Sequence, residues 1–134
     1  MPQEGLSVVV ADKILDAIYN NIPLAFGLAT LGLYTGSPGT DGTANVFGGT
    51  TRQALTCSLG SSGATSGSGA LPKFTVTSAG TVAKAATWNG YEADMSSVMI
   101  QSGRLLVPQT VAIGDVINVN SITIEWNASD LAAT

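Results

Sequence analysis

Histidine is missing from all 134 residues, and the chain holds one cysteine, five basic residues and only 10% charged side chains. Each shortage removes a class of function. Without histidine there is no usual general base near neutral pH, no Ser-His-Asp or Cys-His arrangement, and no imidazole to bind a transition metal. Cys57 cannot close an internal disulfide, and its place in the alternating row Gln53, Leu55, Cys57, Leu59 reads as a small buried hydrophobe. The basic residues Lys13, Arg52, Lys73, Lys84 and Arg104 stand singly, so the clustered positive surface that phosphate binding needs is lacking and no nucleic-acid partner is expected. The longest apolar run, IPLAFGLATLGLY, is too short to span a bilayer and is broken by Gly27 and Gly32, so no membrane partner is expected. The start, MPQEGLSVVV, carries Glu4 and no basic residue before Lys13, unlike a secretory leader. The expectation is a soluble protein made in the cytoplasm.

Glycine, serine and threonine are plentiful, at about a third of the chain. Hydroxyls and turns must therefore cover a surface that most domains cover with charge. The length suits one domain able to bury its own core.

Read for period, the chain divides at Ile22. Ser7 is placed to cap a helix over about 8–21, with Ala11, Ile14, Leu15, Ile18 and Ile22 on one face and Asp12, Lys13, Asp16 and Asn20 on the other. Asn20, Asn21 and Pro23 stop it, and residues 1–6 read as an extended arm with little to hold it. From Pro23 the period becomes two. Half-buried strands are expected at about 29–34, 51–59, 73–77, 82–88, 97–101, 105–107, 116–119 and 122–126, with Asn89-Gly90, Ser102-Gly103, Pro108-Gln109, Gly114-Asp115 and Asn120-Ser121 as turns. The glycine-rich stretch 35–50 lacks the spacing of a phosphate loop and reads as a strand connection. The tract GSSGATSGSG at 60–69 reads as an exposed loop, and both loops are expected to face outward. The fold class is all-β: an antiparallel β-sandwich or jelly-roll-like domain over 23–134, with the N-terminal arm and one amphipathic helix over 1–22.

Candidate chemistry is sparse. Glu92 and Asp94 are a carboxylate pair of the kind glycosidases use, but two residues apart in a turn they more often solvate it. Asp41, Thr43 and Asn45 offer the alternating oxygens that open a calcium loop, without the bidentate glutamate that closes one, and Asx turns account for them. Phe74, Trp88, Tyr91 and Trp126 would make a carbohydrate platform if they shared an open face; the first, second and fourth read as core and Tyr91 as exposed. Asn127-Ala128-Ser129 matches a glycosylation acceptor by sequence alone. No catalytic residue, cofactor or metal is expected, and the protein is expected not to be an enzyme.

The order of four stretches resembles a group of small virion proteins of tailed bacteriophages: ADKILDAIYNN, LGLYTGSPGTDGTANVFGGTTRQALT, the V-x-x-G-D-x-x-x-V segment VAIGDVINV, and ITIEW. Members are commonly labelled tail-fibre or minor structural proteins, and similar small β-sandwiches serve as capsid decoration, or cement, proteins. Two departures stand out. NGYEADMSS occupies the place of a glycine-rich hairpin, and residues 1–10 have no counterpart. The resemblance implies a virion structural protein assembled on the particle exterior. Because the chain lacks a repeat, heptad or shaft, a capsid decoration protein bound to the major capsid protein is the expected role. The alternative is a tail-fibre or tail-tip module that binds a host surface glycan. Strand edges poorly guarded by lysine favour self-association, expected as a homotrimer. Met1, Pro2, Gln3, Leu6, Ile14, Leu15, Ile18 and Ile22 are the expected interface, since the arm is loose and the helix carries an apolar stripe.

Overall fold

Strand β2, Thr30–Tyr34, has no solvent-facing side: all five residues are buried. The alternation in TLGLY was expected to mark a half-buried strand. Instead Leu31 and Leu33 enter one apolar cluster and Tyr34 another. The strand lies inside a five-stranded antiparallel sheet in which it pairs with both β3 (Gln53–Ala54) and β6 (Gly80–Trp88). Strand β7 (Met99–Val111) lies beyond β6, and β1 (Gly5–Leu6) pairs on its outer side. Two antiparallel ribbons complete the strands, β4 (Ala64–Ser66) with β9 (Thr123–Glu125) and β5 (Lys73–Thr75) with β8 (Val116–Asn118). This is a computed structural model, and it describes residues 5–24, 28–39, 41–59, 64–92 and 97–125. Among the described residues the chain is antiparallel β with one N-terminal helix.

The larger cluster joins Leu31, Leu33, Phe47, Phe74, Val76 and Val82, with Leu105, Ile117 and Ile122 packed against it. Burial of side chains of this size contributes roughly 1.5–3 kcal/mol each. Tyr34, Ala86, Trp88 and Met99 form the second cluster. Val82 and Ala86 share parity on β6 yet belong to different clusters. Between them the register slips, from Val82 opposite Gln109 to Lys84 opposite Arg104. The extra residues on β7 form a bulge that re-aims the strand, placing Leu105 against the core and Leu106 fully in solvent.

Several expected boundaries move. Ser102-Gly103 and Pro108-Gln109 are not turns, because β7 runs through both. Pro108 is tolerated there since it falls in the bulge, where no ladder hydrogen bond is lost. The strand expected over 51–59 shrinks to Gln53–Ala54, followed by a single bridge from Cys57 to Gly67. Leu55 is buried, Cys57 is only half-buried, and Leu59 is exposed. The tract at 60–69 is not all loop: Ala64–Ser66 pairs with β9, and Gly67 approaches Ile122 and Leu71 so closely that a Cβ would collide with both. In VAIGDVINV the motif is a turn, with the Ala112 N–H donating to the Asp115 carboxylate at 2.8 Å and Gly114 at φ 93°.

Helix α1, Val8–Tyr19, starts at Ser7 as its cap. The Ser7 hydroxyl accepts from the Val10 N–H at 3.3 Å and donates to the Met99 carbonyl, while the Ser7 N–H donates to Ile100 at 2.8 Å. With Gly5 opposite Ser102 and Leu6 opposite Gln101, this corrects the expectation of a loose arm at those residues. The helix ends with the Asn20 N–H on Asp16 and Asn21 at φ 55°, a left-handed stop. Replacing Ser7 by alanine removes the cap and the strap to β7 together. We expect Ser7→Ala to lower unfolding stability by about 1–2 kcal/mol in urea titration, with strand circular dichroism retained.

Candidate functional site

The region that the sequence marks for chemistry, around Asn89-Gly90 and Glu92, is built as a clasp. Trp88 ends β6 beside the second cluster, and its indole N–H donates to the Tyr34 hydroxyl at 3.0 Å. That hydroxyl donates in turn to the Gly42 carbonyl at 2.9 Å. The connection 35–50 is thereby pinned to the sheet at Pro38, Gly42, Phe47 and Gly49, which are buried, while Thr35, Asp41, Thr43, Ala44, Asn45, Val46 and Gly48 remain exposed. Gly42 sits at φ 80°, and a Cβ there would stand 2.5 Å from the Trp88 ring. Only glycine meets both demands.

Arg52 closes the other side. Its guanidinium lies 3.6 Å from the centre of the Trp88 ring and donates to the Gly90 carbonyl and the Ser97 hydroxyl, each at 3.2 Å. Its backbone N–H donates to the Glu92 carboxylate at 2.7 Å. Thr30, buried in β2, donates its hydroxyl to the same Gly90 carbonyl at 2.6 Å. Burial pulls the Arg52 guanidinium below its ordinary range, opposed by the charge of Glu92. Arginine stays charged regardless, so the cation is held over a desolvated ring, where such contacts are strongest.

Glu92 therefore serves as an acceptor for the backbone across the turn, and Asp94 lies outside the described residues. Asp41 accepts from both the N–H and the hydroxyl of Thr43, at 3.1 and 2.7 Å, and these bonds hold its carboxyl below the usual value. Asn45 turns instead to the Ser37 carbonyl. Among the described residues no group of three or more His, Cys, Asp or Glu could hold a metal. Phe74 and Trp88 are buried and Tyr91 is exposed, so these three form no aromatic platform; Trp126 and Asn127 to Ser129 lie outside the described residues.

The residues expected at an interface differ in exposure. Leu15, Ile18 and Ile22 are 51%, 67% and 53% exposed, and Leu6 is marginally so. Ile14 turns toward the domain and is half-buried. Ile22 lies beyond the helix end, and Met1, Pro2 and Gln3 lie outside the described residues. The stripe seen in the sequence omitted Val8 and Tyr19, both open to solvent, and the bulge residues Leu106 and Val107. Helical period would have found the first two; nothing local signalled the bulge. No helix among the described residues is long and apolar enough to cross a membrane.

Two outcomes test the clasp. Arg52→Ala should shift tryptophan emission to the red and lower stability by about 1–3 kcal/mol; Arg52→Lys should recover only part, because an ammonium lacks the planar fork. Burial raises the Tyr34 hydroxyl above its ordinary value, with the hydrogen bond from Trp88 and the charge of Arg52 opposing. The folded state thus holds this proton to higher pH than the unfolded chain. That contribution is whole below about pH 10 and is lost as pH rises through the raised value. Unfolding midpoints should fall on the alkaline side, and Tyr34→Phe should flatten that fall while lowering the plateau.

No curated protein matches the sequence. A family model does, over residues 5–127, and its description is podophage GP4 fiber I protein gp80. The matched span takes in the arm strand, the helix, the clasp and both ribbons. On that span the chain belongs to the podophage GP4 fiber I protein gp80 family, structural proteins of the tailed-phage virion.

Proposed function

We propose that the protein is a non-enzymatic structural module of the fibre apparatus, carried on the outside of the particle. The observation that carries this reading is the match over residues 5–127 to a family of podophage fibre proteins. The surface supports it. Val8, Leu15, Ile18, Tyr19, Leu106 and Val107 are exposed, an apolar load that suits a subunit with neighbours better than a solitary domain. Glu92 is spent on a bond from the Arg52 backbone N–H, a structural role across the turn that supports the non-enzymatic reading.

Capsid decoration is the second reading. It draws support from a fold of short, non-repeating strands with no shaft of its own. Its partner would be the major capsid protein, reached through the N-terminal segment. Recognition of a host glycan is less well supported, since Trp88 is covered by Arg52 and Phe74 is buried.

Copy number separates the readings. In purified virions, quantitative gel staining or mass spectrometry should find the protein at a few to a few tens of copies per particle. Molar equivalence with the major capsid protein would overturn the fibre reading in favour of decoration. Sugar hydrolysis by the purified protein that vanishes in both Glu92→Gln and Asp94→Asn would overturn the non-enzymatic part.

A further inference from the structure

Helix α1 has more apolar surface than the domain covers. Val10 is fully buried, and Ile14 and Ala17 lie half-buried beside it, so this edge of the helix is its seat on the sheet. Turning away from that seat, the next row is Val8, Ala11, Leu15 and Ile18, and its spacing alternates three, four, three. Val8, Leu15 and Ile18 are 55%, 51% and 67% exposed, and Tyr19 beside them is 76% exposed. The opposite face is polar, with Asp12, Lys13, Asp16 and Asn20 around Val9. The row is a short a/d seam of the kind by which helices interlock, with Val8 and Leu15 at a and Ala11 and Ile18 at d. It escapes a reading of the sequence because Ile14 merges the seat and the seam into one broad stripe.

We propose that this seam is closed by the same helix of other copies, giving a parallel, three-fold bundle of α1 at the centre of a homotrimer. Three features select that occupant. The spacing is self-complementary, so an identical helix offers the holes that these knobs require. In a parallel arrangement the flanking positions bring Ile14 of one copy toward Tyr19 of the next, which sets no like charges against each other. Leucine at a followed by isoleucine at d favours three or four strands over two, and a closed cyclic group satisfies every copy equally. Val8, Leu15, Ile18 and Tyr19 are each more than half open, so closing the seam contributes apolar area toward the ~800 Å² that one partner gives a standard interface. A helix of this length is marginal alone, but Ser7 and β1 pin its start to β7, so the seam is presented already formed. The inference holds whether the protein sits on a fibre or on the head.

Light scattering of the purified full chain should give the mass of three chains. Leu15→Asp combined with Ile18→Asp should give the mass of one, with strand circular dichroism unchanged because both residues are exposed in the single chain. Val9→Asp, on the polar face, should stay trimeric. In a Cys57→Ser background, Ala11→Cys should form disulfide-linked pairs on mild oxidation, since a parallel bundle sets Ala11 of each copy at one level, and Val9→Cys should not. A wild-type protein that scatters as one chain, or a trimer that survives the Leu15 and Ile18 substitutions, overturns the proposal. Linkage through Val9→Cys as readily as through Ala11→Cys overturns the seam, and a trimer that never links through Ala11→Cys overturns the parallel register.

Discussion

A strand that is apolar on both sides has to be roofed twice, and the arrangement of this chain follows from that need in TLGLY. One roof is conventional: Phe47, Phe74, Val76 and Val82 close over Leu31 and Leu33. The other is not aliphatic. It uses Trp88, tied to Tyr34 and shielded by the guanidinium of Arg52 and the backbone of Gly42. The glycine-rich connection, which looks like slack in the sequence, is the material of that second roof. Its side-chain poverty is what lets its backbone lie against an indole ring.

Much of this was legible. Ser7 before a run of 3.6 period placed the helix, and its start agrees with the cap geometry. Phe74 among threonines and Trp88 before Asn-Gly were readable as core. What escaped depends on partners distant along the chain. Arg52 stands in a threonine-rich stretch like any solvated cation, and its value comes from a ring and a turn brought to it by the sheet. Glu92 read as a charge that merely solvates its turn because the backbone N–H it serves, that of Arg52, is distant along the chain. Gly103 and Pro108 are turn residues by propensity, but β7 lies outermost there, paired on one side only among the described strands, so their defects cost little. Periodicity also tells which residues share a helix face, not whether a domain of this size covers them.

The family assignment and the physical reading meet at the surface. A chain with 10% charged residues has few means of keeping neighbours away. In a free protein that is a liability; in a virion component, made to be assembled, it is consistent with the task. The polarity of the exposed surface is carried by hydroxyls, which guard strand edges weakly.

That weakness gives the bulge of β7 a second meaning. Past Ser102 the outer edge of this strand has no pairing strand among the described residues, and chains gathered side by side would present such edges to one another at high local concentration. A straight edge would let the sheet of one molecule run on into the next without limit. Between Arg104 and Gln109 the backbone steps out of line, and Pro108 within the step has no N–H to offer. In such a gathering the interruption would act as a terminator: sheet growth from molecule to molecule would stall there, leaving association to surfaces that close on themselves.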